Sequence, residues 1–356
     1  MKIEDIPAPS LALLRRGTAI PAHLLALDSE RRFDARRQRA MSRYYLDAGA
    51  GGLAVGVHST QFAIREVGLY EPVLSLAMET AIVWEPIGGK RPLFMVAGLA
   101  GKTAQAVKEA GIARGLGYHA GLLSLAALKG ASEDDLIAHC RAVGDVMPLV
   151  GFYLQPAVGG IELPAGFWQR FAAIDNVVAI KMAPFNRYRT LDVIRGVIEA
   201  AAQDRVTLYT GNDDHIVLDL LAPFTFRSHG ADVTMRIKGG LLGHWSVWTH
   251  RAVQLLERIH ATVDSGQISA ELLALDSQVT DCNSALFDVA HNFHGCVAGC
   301  HEILRRQGLL EGTWCLDPHE GLSPGQTEEL TRVHDAYPHL HDDAFVAANK
   351  ERWLDA

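Results

Sequence analysis

The chain has no continuous apolar run of the roughly 18 to 20 residues that a bilayer-spanning helix needs, so no membrane partner is expected. It also has no excess of basic charge. Lysine and arginine number 33 against 41 acidic residues, a net charge of −8. That balance opposes nucleic-acid binding, and the arginines between Arg31 and Arg39 are interrupted by Asp34 and apolar residues in the manner of a solvated helix face. Five cysteines, an odd number in 356 residues, do not make a disulfide framework. The start, Met1-Lys2-Ile3-Glu4-Asp5, carries neither the apolar core nor the small-residue cleavage site of a secretory signal, and a cytoplasmic location is the expectation. A glycine-rich phosphate turn after the first strand is missing too, which argues against a doubly wound nucleotide-binding sheet. Gly49-Ala50-Gly51-Gly52 precedes a strand and reads as a tight turn.

What the sequence does contain is a recurrence of short Val/Ile/Leu/Ala runs separated by amphipathic stretches of helical length. Strands are expected near Thr18–Leu25, Gly52–Val57, Leu93–Ala97, Ala120–Ser124, Leu149–Tyr153, Val177–Met182, Val206–Thr210 and Gly240–Trp245. Helices are expected near Arg37–Ala48, Thr103–Leu116, Glu133–Val143, Gly166–Ala173 and Thr190–Ala202. Continuous apolar strands alternating with helices imply parallel strands buried on both faces, and eight such units close a barrel. The expected fold is therefore α/β, a (β/α)8 TIM barrel over residues 1–250, with 251–356 a C-terminal helical region packed on it. In that region Arg251–Thr262, Ala270–His291, Val297–Gln307 and Ser323–Tyr337 read as helices, the last with Ser323 as N-cap and Pro324 at its first position. The segment 224–238 interrupts the barrel pattern as a small hairpin around Gly230, on the face opposite the catalytic one.

Of eight lysines, Lys181 stands apart, because it follows Val177-Val178-Ala179-Ile180 at the carboxyl end of the sixth expected strand. Side chains at that end project into the mouth of a barrel, where enzymes of this fold place their chemistry. A free lysine has a pKa of about 10.4, and apolar surroundings lower it, which creates an amine nucleophile for carbonyl carbon. Tyr153 ends the preceding expected strand, and its phenol is expected beside Lys181 as a proton relay. Gly56-Val57-His58-Ser59-Thr60-Gln61 follows the second strand, and adjacent hydroxyls and amides in such a turn suit a carboxylate. His58, Gln61, Gln155, Asn186, Arg187 and Asn212 are polar residues on βα loops, with Arg187 the candidate anion clamp. The run from His291 to His301 contains two cysteines and three histidines without the paired spacings of a zinc site. Close helix packing is its simpler account, and no metal is expected.

These segments, in this order, resemble the dihydrodipicolinate synthase / N-acetylneuraminate lyase superfamily of pyruvate-binding class I aldolases. Gly17-Thr18-Ala19-Ile20 is similar to that family's opening strand, and His58-Ser59-Thr60-Gln61 to its carboxylate-binding loop. Tyr153-Leu154-Gln155-Pro156 is similar to the Tyr-Asn-x-Pro motif, Asn176–Lys181 to the Schiff-base lysine segment, and Thr210-Gly211-Asn212-Asp213 to a Ser-Gly-x-Asp turn. Asn292 and the region 308–322 are similar to its C-terminal helices. The resemblance implies Lys181 as the imine-forming residue, Tyr153 as the relay, Ser59 and Thr60 on the carboxylate with His58 competing for one of these places, and Asn212 in the seventh-strand turn. It implies a lyase without cofactor, breaking or making a carbon–carbon or carbon–oxygen bond of a 2-oxo acid such as pyruvate, with an aldehyde as further partner, in a dimer or tetramer. Three departures set it apart from the synthases. Val158 stands near the place of an arginine that grips the second carboxylate, Leu123–Ala127 lacks Pro-Tyr-Tyr, and Gln61 replaces a glutamate. The other readings the residues allow are a Schiff-base dehydratase of a sugar acid and a non-catalytic barrel that binds a small acid.

Overall fold

The computed structural model describes residues 1–228 and 230–355. Among the described residues nine strands build one sheet: β1 (Ala19–Pro21), β2 (Ala54–Val55), β3 (Val96–Leu99), β4 (Ala120–Leu123), β5 (Leu149–Leu154), β6 (Val177–Ala183), β7 (Thr207–Thr210), β8 (Pro223–Ser228) and β9 (Ala231–Leu242). The order β1-β9-β7-β6-β5-β4-β3-β2 is parallel throughout, and the bridge from Ala22 to Ala54 joins its two ends. This is the expected (β/α)8 barrel with additional C-terminal helices. Every residue of β6 is buried, as a strand covered by helices on one face and barrel interior on the other must be.

The expected helices appear within a turn of their forecast bounds, as Ala35–Ala48, Thr103–Gly115, Glu133–Gly144, Ala165–Ala172 and Arg187–Glu199. Three begin at side-chain caps: the Asp34, Ser132 and Asn186 oxygens accept the amides of Arg37, Asp135 and Arg189. Helices Ala8–Arg16, Tyr70–Val83 and Asp343–Leu354 were not foreseen. The first closes the barrel floor. Leu14 packs in the barrel's inner core with Ile20, Phe94 and Val178, and the Tyr209 hydroxyl donates to the Leu14 carbonyl at 2.9 Å.

The hairpin around Gly230 is present, with pairing from Pro223↔Arg236 to Ser228↔Ala231. Its second arm and the expected eighth strand are one continuous strand. β9 leaves the two-stranded ribbon, enters the barrel between β7 and β1, and stops at Leu242 instead of Trp245. The last barrel helix is Thr249–Ser265.

The C-terminal chain departs from expectation in two places. Helix Ala270–Leu286 ends five residues early, because Asp288, Asn292 and Phe293 adopt left-handed backbone (φ 54°, 58° and 67°) that turns the chain back across the barrel mouth. Ser323 does not cap a helix. The helix there is Gln326–Ala336, preceded by Gly325 at φ 83°, while the Ser323 hydroxyl donates to Asp288. Gln326 receives the Ser323 amide and donates to the Gly295 carbonyl at 3.1 Å, so these polar residues fasten the tail to the segment that crosses the mouth.

Candidate active site

Side chains alternate along a strand, so the direction of one fixes its neighbours. Lys181 of β6 lies level with Phe152 of β5 and Tyr209 of β7, all turned toward the barrel interior. Its ammonium sits 4.6 Å from the centre of the Phe152 ring, and only 8% of the residue is exposed. Gly211 makes room for this side chain, since a Cβ there would stand 2.5 Å from Lys181 Cε.

Lys181 lines a cleft whose empty volume, counted out to solvent, is about 660 Å³. Its walls are mainly apolar, with Phe152, Phe185, Phe287 and Phe293 prominent, and its polar lining includes His58, Ser59, Gln155 and Asp213. Desolvation pushes the Lys181 ammonium below its ordinary pKa, opposed by the Asp213 charge. The same burial pushes the Asp213 carboxyl upward, opposed by Lys181 and by the His244 amide, which donates to it at 3.4 Å. Both groups are thereby drawn toward neutrality. His58 is also held below its usual value, by burial first and by the Lys181 charge second, which favours a neutral imidazole. In the turn His58–Thr60, the amides of His58 and Ser59 donate to no protein carbonyl among the described residues and stand next to the Ser59 hydroxyl.

The residues singled out from sequence divide. Lys181, His58, Ser59 and Gln155 meet at the cleft, as does Val158. Tyr153 does not. It is 1% exposed and points outward, its ring 5.2 Å from Trp168 and its hydroxyl accepting the Leu163 amide at 3.2 Å. A register shift between Leu149 and Val150 places Phe152, not Tyr153, opposite Lys181. Thr60 is a turn residue, donating to the His23 carbonyl at 2.6 Å and accepting the Gly56 amide at 3.0 Å. Arg187 lies outside the cleft in an ion pair with the fully buried Asp219. Asn212 is also turned away: it donates to Thr190 and Asp219 at 3.1 and 2.9 Å, and accepts the Phe185 amide at 3.1 Å. Asn212 therefore positions the loops after β6 and β7. Gln61 accepts the Leu316 amide at 2.6 Å with its own backbone at φ 68°, in the region where glycine is at ease.

Sequence reasoning missed Asp213 and the contribution of the tail. Asp213 follows Tyr209 and Gly211 at two-residue steps on the face turned to Lys181, so the strand's alternation carries it inward, and its amide closes a tight turn on the Gly211 carbonyl. Cys296, Val297 and Cys300, read as helix packing remote from the mouth, line it. Burial pushes the Cys296 thiol up to about 12 and holds the Cys300 thiol well above its ordinary value, so both are neutral walls at physiological pH. The nearest available signal was the run of small residues from Gly295 to Gly299, which permits close approach: a Cβ on Gly299 would meet the Leu286 carbonyl oxygen at 2.1 Å.

A barrel with a buried amine at its strand ends, facing a carboxyl group under a largely apolar roof, has the layout of a lyase that works through carbonyl chemistry. The chain belongs to the dihydrodipicolinate synthetase family, whose model matches residues 16–337. Membership supports a lyase of the class I aldolase type. The fold is shared with dihydrodipicolinate synthase of Acinetobacter baumannii, solved with pyruvate, at 17% identity over 93% of this chain and 99% of that one, TM-score 0.72. Dihydrodipicolinate synthase of Aquifex aeolicus is similar at 16% identity over 92% and 99%, TM-score 0.72. CdNal from Clostridium difficile, in complex with mannosamine, is similar at 14% identity over 90% and 99%, TM-score 0.70. No curated protein sequence matches the chain. Among the described residues no helix is long and apolar enough to cross a membrane.

Proposed function

We propose that the protein is a Schiff-base lyase that acts on a 2-oxo acid such as pyruvate and pairs it with an uncharged partner. The observation that carries this reading is the burial of Lys181 in the cleft with Asp213 as its counter-charge. The neutral amine adds to the keto carbon, and loss of water leaves a protonated imine. That cation accepts the electron pair of an adjacent carbon–carbon bond as it breaks; in the forming direction it first loses a proton, and the resulting enamine supplies the pair for the new bond. The substrate carboxylate rests on the His58 and Ser59 amides and the Ser59 hydroxyl, donors suited to an anion. Asp213 moves the protons, since its raised pKa leaves it able to give as well as accept near neutral pH, and His58 is the second base in reach. Val158 and the phenylalanines favour an acceptor without a second carboxylate, because among the described lining residues Lys181 is the only lysine or arginine. Loss of water from a 2-oxo acid that also carries a hydroxyl would use the same imine, with protonated Asp213 as acid for the leaving hydroxyl.

The test is incubation with a panel of 2-oxo acids and borohydride, followed by intact mass and peptide mapping. The expected result is one covalent increment on Lys181, abolished in Lys181→Met. A folded protein that gains no mass with any member of the panel would end the Schiff-base reading. A trapped adduct would then allow aldol cleavage and dehydration to be separated by product analysis.

A further inference from the structure

Away from the barrel mouth, three ligand-type side chains converge where the helix Gln326–Ala336 meets the final helix, Asp343–Leu354. His334 Nε2 lies 2.7 Å from Asp343 Oδ2, and His341 Nδ1 lies 3.5 Å from the same oxygen. The two imidazoles are stacked, 4.1 Å between centres and 9° between planes, and all three ligand atoms fall within 4.8 Å of one another. Two ligands on a tetrahedral zinc ion, each at about 2.0 to 2.1 Å, are about 3.3 Å apart. The observed separations bracket that distance, and an ion would take the place of the shared proton once the Nε2–Oδ2 pair opens by about 0.6 Å and one imidazole turns out of the stack to bring its in-plane lone pair onto the ion. The atoms around the trio are also those a metal site uses. Metal-bound histidine commonly turns its other nitrogen to a carboxylate, and ligating carboxylates are themselves hydrogen-bonded. Here Asp335 Oδ1 stands 3.5 Å from His334 Nδ1, and Gln307 donates to Asp343 Oδ1 at 2.8 Å, which leaves Oδ2 for the histidines. Arg251 is the opposing charge, its guanidinium facing the His341 carbonyl oxygen at 3.4 Å.

We propose that His334, His341 and Asp343 form a binding site for a divalent transition-metal ion of the zinc type, separate from the catalytic cleft. Imidazole and carboxylate together suit zinc better than calcium or magnesium, which take mostly oxygen. The side chains are 30%, 19% and 40% exposed, which leaves an open side for water as a further ligand. The ion would tie the last helix to the helix Gln326–Ala336, with Gln307, which follows the helix whose first turn lines the cleft, bonded to the shared Asp343.

The experiment uses the full-length protein, stripped with a chelator and dialysed, then titrated calorimetrically with zinc chloride and spectroscopically with cobalt chloride. One equivalent of each ion should bind, the cobalt form showing the visible bands of a low-coordinate site. The double variant His334→Gln, His341→Gln should lose at least 100-fold in affinity. Asp335→Asn touches a carboxylate that is 76% exposed, so it should fold and melt as the parent does without metal. Its zinc affinity should nevertheless fall by about 10- to 100-fold, the usual cost of removing a carboxylate behind a ligating histidine. A parent protein that binds no zinc, or a double variant that binds it as tightly as the parent, would overturn the proposal. Asp335→Asn at parental affinity would remove the carboxylate from the site.

Discussion

Gly211→Ala tests whether the placement of Lys181 governs its chemistry. A methyl at that position would lie 2.5 Å from Lys181 Cε, 3.1 Å from its Cγ and 3.0 Å from the Ala183 Cβ, where ordinary contacts begin at 3.4 Å. The barrel backbone is fixed by strand pairing on both sides of β6, whereas the lysine tail can rotate. The strain should therefore be relieved by moving the amine, by about 1 Å, the gap between the imposed and ordinary distances. Displacements of that size can cost about 100-fold in rate, or about 2.7 kcal/mol of barrier. Because the yielding group is a flexible side chain, the loss of stability should stay near the low end for overpacked cores, about 1 kcal/mol. The assay is the time course of borohydride trapping with whichever 2-oxo acid labels the parent, beside a thermal melt. Ala183→Gly in the same background removes the 3.0 Å contact and leaves the 2.5 Å one, so it should restore little. A cooperatively folded Gly211→Ala that forms its imine at the parental rate would show that the amine's position in the cleft does not control its reactivity.

Asp213→Asn should still be trapped by borohydride, while turnover falls about 100- to 10,000-fold, the scale of a lost proton-transfer group; equal loss in both assays would make Asp213 a positioning residue. Tyr153→Phe, at the residue the sequence suggested as proton relay, should keep parental turnover and lose about 1 kcal/mol of stability with its bond to the Leu163 amide. Kinetics and a melt decide, and a large fall in turnover would return the phenol to the mechanism. His23, His244 and His301 are buried as neutral rings, each with its pKa lowered to about 4 from 6.5. Their folded values lie below the unfolded one, so the stability they confer is complete above pH 6.5 and drains as pH falls toward 4. Each should lose about 2 kcal/mol by pH 5, and denaturant melts with a flat profile from pH 7 to 4.5 would contradict this.

The barrel was legible because its strands are covered on both faces and so appear as unbroken apolar runs; Val177–Met182 is the clearest, and Lys181 stands out against it. The hairpin was legible from alternation and Gly230, but its fusion with the eighth strand was not, since nothing local marks where β9 passes from ribbon to barrel. The site was legible in part for a similar reason. Which way a residue faces depends on register, and a one-residue shift between Leu149 and Val150 was enough to exchange Tyr153 for Phe152 beside Lys181. Ser59 and Thr60 looked equivalent as adjacent hydroxyls, yet only Thr60 finds the His23 carbonyl, a partner 37 residues away in the chain. Asn212 was singled out and Asp213 was not, although the alternation that turns Tyr209 and Gly211 toward Lys181 sends Asn212 into the loop network and Asp213 into the cleft.

The reactivity of Lys181 belongs to more of the chain than the barrel. A lysine at the open end of a barrel strand would be an ordinary hydrated ammonium, so what lowers its pKa is whatever keeps water away. Part of that cover comes from Phe287, Phe293, Cys296 and Val297, all beyond the eighth barrel helix. The same region holds the counter-charge in place, because Asn283 donates to the Asp213 carbonyl and pairs with His244, whose amide reaches the Asp213 carboxylate. The left-handed residues at 288, 292 and 293 are what turn this segment over the mouth. Such backbone persists only where its surroundings hold it, and here Asp288 is held by Ser323 and by the Gly295 amide. Ser323 in turn is fixed by Gln326 at the start of the next helix. The chain of dependence thus runs from the tail's polar contacts, through a strained turn, to the dryness of one amine, and the C-terminal helices are part of the active site's electrostatics.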